Sequence, residues 1–170
     1  MKKYLIVVDV QKDFVDGALG TPEARAIIPR VKEKIAKAKA DGVEIIFTRD
    51  THYDDYMDTN EGRHLPIEHC VALSDGWQLF EGLDAKDGEI LNKATFGSLR
   101  WEDYIFYQPD LEIELIGLCT DICVVSNALI LKAMFPEAKI IVDSSACAGV
   151  TPETHEAALT TMKMCQVEVV

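Results

Sequence analysis

The chain has 170 residues, 48% apolar and 27% charged, with a mean hydropathy close to zero. That composition suits a globular fold with a full core and excludes a disordered chain or a bundle of membrane spans. Twenty-nine acidic against seventeen basic residues give a net charge of −12 with no basic stripe, so neither nucleic acid nor an anionic membrane is an expected partner.

The first residues, Met1-Lys-Lys-Tyr-Leu-Ile-Val-Val-Asp9, carry too short an apolar run for a signal peptide. The five cysteines are odd in number and include no CxxC pair, so neither a disulfide framework nor a structural zinc site is expected. A reduced, cytoplasmic protein is the expectation.

Lys3 to Val8 reads as a strand buried on both faces, ending at Asp9. Thr21-Pro22-Glu23 is a helix start, with threonine as cap and proline at the first position, and the helix should run to about Ala40 before Asp41-Gly42. Val43 to Thr48 is a second buried strand, followed by Arg49-Asp50-Thr51-His52. From Tyr53 to about Gly88 periodicity fails, and a loop of that length is either functional or hides a short element. Glu89 to Leu91 is a short strand leading to Asn92-Lys93, and Ser98 to Phe106 suggests a short helix. Ile113 to Leu118 is a strand, and Ile122 to Met134 has helical apolar spacing. Lys139 to Val142 is a fifth strand, Thr151-Pro152-Glu153 starts a helix to about Met164, and Gln166 to Val170 closes as a sixth. Alternating strands and helices without repeats or linkers predict one α/β domain, 1–170, built on a mainly parallel six-stranded sheet covered on both faces.

Ligands in such folds bind beyond the carboxyl ends of the strands. Polar groups fall there: Asp9 after the first strand, Asp50 and His52 after the second, Lys93 after the third and Cys123 past the fourth. A carboxylate, an ammonium and a thiol in one crevice supply a base, a charge stabiliser and a nucleophile. Cys123 falls in the first helical turn after its strand, where a helix N-terminus lowers a thiol pKa.

Three stretches carry a family resemblance. Val7-Val-Asp-Val-Gln-Lys-Asp-Phe14, Asn92-Lys-Ala-Thr-Phe-Gly-Ser98 and Gly117-Leu-Cys-Thr-Asp-Ile-Cys-Val124 resemble, in order, the signatures of the isochorismatase-like cysteine hydrolases. The resemblance implies a Rossmann-like three-layer α/β/α fold and a catalytic set of Asp9, Lys93 and Cys123. Asp9 would take the thiol proton, Lys93 would hold the charged forms, and the thiolate would attack an amide carbonyl to give a thioester. Backbone N–H groups of Cys119 and Cys123 would stabilise the oxyanion, and the Leu118–Cys119 peptide is expected to be cis.

Asp50-x-His52 with a later His69 offers one oxygen and two imidazoles, a donor set suited to zinc, iron or manganese. Arg49-Asp-Thr-His-Tyr53 with Glu61-Gly-Arg-His-Leu-Pro-Ile-Glu-His-Cys70 resembles the nicotinamidase subgroup, in which a metal binds the pyridine nitrogen. That resemblance implies one divalent transition metal, zinc foremost, on Asp50, His52 and His69, with Glu61 or His64 completing the set. It also implies hydrolysis of nicotinamide to nicotinate and ammonia for pyridine-nucleotide salvage, and by family habit a homo-oligomer. Phe14 and Phe96 are candidates to wall the ring. Where the subgroup often has a tryptophan before its second metal histidine, this chain has Leu65-Pro-Ile-Glu68. The alternatives are a sister hydrolase acting on a ureido or carbamoyl amide, or a non-catalytic family member.

Overall fold

The computed structural model describes residues 2–170. In chain order its elements are β1 (Lys3–Val8), α1 (Lys12–Val15), α2 (Pro22–Ala26), α3 (Ile28–Ala40), β2 (Glu44–Asp50), α4 (Asn60–His64) and β3 (Glu89–Lys93). There follow β4 (Glu112–Leu118), α5 (Val125–Met134), β5 (Lys139–Ala148), α6 (Pro152–Met164) and β6 (Glu168–Val169). The strands form one six-stranded sheet in the order β3-β2-β1-β4-β5-β6, every pairing parallel. This is the strand order whose direction reverses between β1 and β4, and the crevice at that point opens at the carboxyl ends of both.

The core lies in two layers because β1 is buried on both sides. Tyr4, Ile6 and Val8 face one cluster with Trp101, Leu131 and Met162, whereas Leu5 and Val7 face the other with Val31, Ile35 and Phe47. An unbroken apolar run therefore marks a central strand, each alternate side chain entering a different core. Both helix starts read from the sequence are present. The Thr21 hydroxyl accepts from Ala24 N–H at 3.0 Å, and Thr151 and Thr154 form a reciprocal capping box.

Four expectations are corrected. The helix from Thr21 to Ala40 is two pieces joined at Ile27, because Pro29 has no N–H to donate to the preceding turn. The loop 53–88 contains a 3₁₀ turn, Tyr56–Asp58, and the short helix α4, capped by the Thr59 hydroxyl accepting from Gly62 N–H. The helix expected over 98–106 is only a 3₁₀ turn, Trp101–Asp103. β5 continues past Val142 to Ala148 through a register shift against β4, so polar Asp143-Ser144-Ser145 lie within a strand.

Gly117 holds the switch point closed. Its φ is +118°, and a Cβ there would meet the Val8 carbonyl oxygen at 2.2 Å. Neither the backbone angle nor the neighbouring strand tolerates a side chain. Gly117→Ala is expected to lose more than about 3 kcal/mol of stability in urea denaturation. A loss under about 1 kcal/mol contradicts the close approach of β1 and β4.

Candidate active site and metal-ligand cluster

Each strand delivers its terminal polar residue to one crevice. Asp9 follows β1 and adopts a left-handed φ of 47°, which turns the chain sharply out of the sheet. Asp50 and Lys93 end β2 and β3 directly opposite each other in register. Beyond β4 the Leu118–Cys119 peptide is cis, and Thr120–Val124 forms a π-helical turn carrying Cys123.

Asp9, Lys93 and Cys123 are all buried. Lys93 Nζ lies 2.5 Å from Asp9 Oδ2, 3.5 Å from Cys123 Sγ and 3.9 Å from Asp50 Oδ1, and it donates to the Thr95 carbonyl at 3.1 Å. An ammonium has three protons, so once Thr95 takes one, the remaining two face the carboxylates and the sulfur. Burial and the charge of nearby Asp9 push the Cys123 thiol well above its ordinary value, against the pull of Lys93. The shift runs opposite to the lowering expected from a helix N-terminus, because burial and Asp9 favour the protonated thiol more than Lys93 favours the thiolate. Burial works to lower the Lys93 pKa, but Asp9, the sulfur and Asp50 outweigh it and keep the ammonium charged. Burial raises the pKa of Asp9, and Asp50 adds to this, with Lys93 and Thr48 opposing.

The backbone N–H of Cys119 donates to no other group among the described residues, which leaves it available to a developing oxyanion. Asp121, next in this turn, fixes its shape from outside, its carboxylate accepting Val150 N–H at 3.1 and 3.2 Å.

Beside this trio, Asp50, His52, Glu61 and His69 bring one donor atom each to within 4.8 Å of one another. The imidazole–carboxylate separations are 2.8 and 3.6 Å for His52 to Asp50 and Glu61, and 3.5 and 3.7 Å for His69. Donors each about 2.1 Å from a shared cation stand about 3–4 Å apart, and the imidazole–carboxylate separations lie close to that range, so small side-chain adjustments bring the set onto one ion. His69 Nδ1 donates to the Ile67 carbonyl at 2.8 Å, which fixes the ring with Nε2 toward the carboxylates. Hydrogen bonds from His52 and His69, then Lys93, hold the buried Asp50 carboxyl well below the usual range despite its desolvation. Burial and the Asp50 charge raise Glu61. A buried and a half-buried carboxylate facing two imidazoles is the charge pattern of a divalent cation site. His64, the rival to Glu61, is exposed, with Nδ1 turned to the Asn60 carbonyl, and lies outside the cluster.

Cys123 of the trio and all four donor residues line one cleft of about 830 Å³. Phe14, Phe96, Leu65, Ile122 and Val150 line its apolar part. Phe14 also packs edge-on against the His69 ring at 5.5 Å, while Phe96 is 45% exposed at the mouth. No tryptophan lines the cleft among the described residues. Trp77 stacks instead under Arg49 and donates to the Thr51 hydroxyl at 2.9 Å.

The family model for the Isochorismatase domain matches residues 3–170. The chain belongs to the isochorismatase family. One curated relative, the nicotinamidase/pyrazinamidase of Mycobacterium tuberculosis (strain ATCC 25618 / H37Rv), is 27% identical over 186 residues, covering 98% of this chain and 97% of its own. A crystal structure of the pyrazinamidase of Pyrococcus horikoshii in complex with zinc matches with a TM-score of 0.84 at 29% identity, over 100% of this chain and 99% of that one. The nicotinamidase/pyrazinamidase of Bacillus subtilis matches at 27% identity and a TM-score of 0.84, over 100% of both chains.

Within this isochorismatase-family site several residues carry no sequence signal. Gln11 clamps Asp50, accepting its N–H at 2.7 Å and donating to its carbonyl at 2.9 Å. Asn127, buried inside α5, donates to the carbonyls of Cys123 and Phe96 and accepts Ser98 N–H, tying the Lys93 loop to the cysteine turn. Tyr56 sits edge-on against both His52 and His69 at 4.8 and 5.1 Å. An Asn in a helix or a Tyr in a polar loop looks ordinary until the fold brings its partners to it.

Proposed function

We propose that this chain is a nicotinamidase, a cysteine amidohydrolase releasing nicotinate and ammonia from nicotinamide, acting in cytoplasmic NAD salvage. The observation that carries the reading is the single cleft lined both by Cys123, which Lys93 and Asp9 back, and by the Asp50–His52–Glu61–His69 donor set. One set suits cleavage of an amide, and the other suits anchoring a basic ring nitrogen at a fixed distance from it. Those four residues would hold one divalent cation, zinc foremost with iron or manganese as alternatives, which would supply a Lewis acid for a basic ring nitrogen. Phe14 and Phe96 border the ring in place of the absent tryptophan.

With the ring so placed, Asp9 accepts the thiol proton and Cys123 Sγ bonds to the carboxamide carbon. Lys93 keeps the new thiolate beside a positive charge throughout. The oxyanion receives the Cys119 and Cys123 backbone N–H groups. Asp9 returns the proton to nitrogen, the C–N bond breaks and ammonia leaves a thioester. Water, deprotonated by Asp9, then attacks the acyl carbon, nicotinate departs and the thiol reforms.

Zinc-loaded protein given nicotinamide is expected to release ammonia and nicotinate in equal amounts. Release from ureido or carbamoyl amides alone would overturn the substrate in favour of a sister hydrolase.

The ionisation states set a pH dependence. Asp9 must be ionised to act as base, and its pKa is raised, so activity is present above that pKa and lost as pH falls through it. The acid limb of kcat/KM is expected above pH ~4, the ordinary carboxylate value. An acid limb at or below pH ~4 contradicts the buried Asp9 base.

A further inference from the structure

Asp9 has two carboxylate oxygens, and they are not equivalent. Thr48, in β2 and fully buried, donates its hydroxyl proton to Asp9 Oδ1 at 2.6 Å, and its Oγ1 accepts the Asp9 backbone N–H at 3.1 Å. A hydroxyl has one proton and two lone pairs. With the N–H fixing the acceptor side, its proton is committed to Oδ1. Oδ2 is left facing the Lys93 ammonium 2.5 Å away as an ion pair, with no other partner among the described residues. The two contacts also brace Asp9 in its left-handed conformation.

We propose that Thr48 is a positioning residue for the reaction: it occupies Oδ1, so that Oδ2 alone takes the proton of Cys123. This rests on the reading of Asp9 as the base and goes beyond it, because an Asp9 free to rotate would present either oxygen, or neither, to the thiol. The groups facing the carboxylate are Thr48 from β2, Lys93 from β3, Asp50 at the end of β2 and Cys123 from the turn after β4. Of these Thr48 is the one that hydrogen-bonds Oδ1 without being charged or being the thiol itself. Replacing its hydroxyl leaves the trio's own atoms in place.

Thr48→Val keeps the shape and removes the hydroxyl, whereas Thr48→Ser keeps the hydroxyl and removes a methyl. In metal-replete protein, Thr48→Val is expected to lower kcat for nicotinamide by about tenfold to a hundredfold, as for a buried hydrogen bond to a charged group, with KM changed less than about twofold. Thr48→Ser is expected to stay within about threefold of wild type. The rate of Cys123 alkylation by iodoacetamide should fall in Thr48→Val and recover in Thr48→Ser, since it reports thiolate formation without any amide. Wild-type alkylation and turnover in Thr48→Val overturn the proposal. If the valine variant does not fold, Thr48→Ala against Thr48→Ser isolates the hydroxyl at nearly equal volume, and equal alkylation rates in those two overturn it. Alkylation unaffected by Asp9→Asn would instead sink the base itself. Absence of nicotinamide turnover with a normal Thr48 effect on alkylation would sink only the substrate.

Discussion

Cys123→Ala is expected to abolish amide hydrolysis, lowering kcat by on the order of 10⁴-fold or more, while leaving the fold intact. The size follows from the sulfur's role: without it no covalent intermediate forms, and Asp9, Lys93 and the backbone donors are left to act on water alone. The fold survives because the side chain is small and buried in the core beside Val124 and Ala128, so its truncation costs about 1 kcal/mol. The other cysteines give the control. Cys119 lines the same cleft, but its thiol is pushed up to about 12 by burial and has no cation near it; what it offers is its N–H, which alanine retains. Cys119→Ala should therefore keep activity within about tenfold, the range of a small packing change near a site. Steady-state rates of ammonia release check both variants. Substantial activity in Cys123→Ala, or an equal loss in Cys119→Ala, would remove the nucleophile assignment.

Cys123 stands out in the sequence because of how a parallel sheet is built. A central strand buries both faces, so it is written as an unbroken apolar run, and the first polar residue after each run falls at the carboxyl edge. Asp9 and Cys123 follow the central β1 and β4 in this way, whereas Lys93 ends β3, an edge strand whose apolar stretch is only Ile90-Leu91. β5 was cut short because Asp143-Ser144-Ser145 break its apolar pattern, although Asp143 is satisfied by Arg30 and Lys34 from α3. Thr48 was invisible for the opposite reason: threonine is an ordinary strand residue, and only the register that sets β2 beside β1 puts its hydroxyl on Asp9. The choice between Glu61 and His64 depended on a single helical turn. Local chemistry favours neither; α4 points Glu61 at His52 and His69 and leaves His64 on the rim. The thiol's protonation was misjudged because a helix end is a weak local field, while burial beside Asp9 is a strong one.

The second large effect concerns the four-residue donor set. Elemental analysis of the purified protein is expected to find about one divalent metal per chain, and His52→Ala and His69→Ala each to weaken binding by more than about a hundredfold, beyond the range for outer-shell partners. Each imidazole supplies a lone pair that nothing else nearby can replace. Removing one also leaves Asp50 and Glu61 facing each other with less compensation, a repulsion already visible in the raised Glu61. His64→Ala should leave the stoichiometry unchanged, because His64 is turned away to the Asn60 carbonyl. The metal-depleted protein separates the two halves of the cleft. The Asp9–Lys93–Cys123 contacts run between their own atoms and involve the donor set only through Lys93 and Asp50 at 3.9 Å. Iodoacetamide should thus still alkylate Cys123 after chelation, while nicotinamide turnover collapses through loss of ring anchoring and returns on adding zinc. Full turnover in stringently depleted protein would show that ring placement rests on the apolar walls, Phe14 and Phe96, and would move the reading toward a metal-free sister hydrolase. Loss of alkylation together with turnover would mean instead that the cluster holds the nucleophile's surroundings in shape, through the strand-end pairing of Asp50 with Lys93.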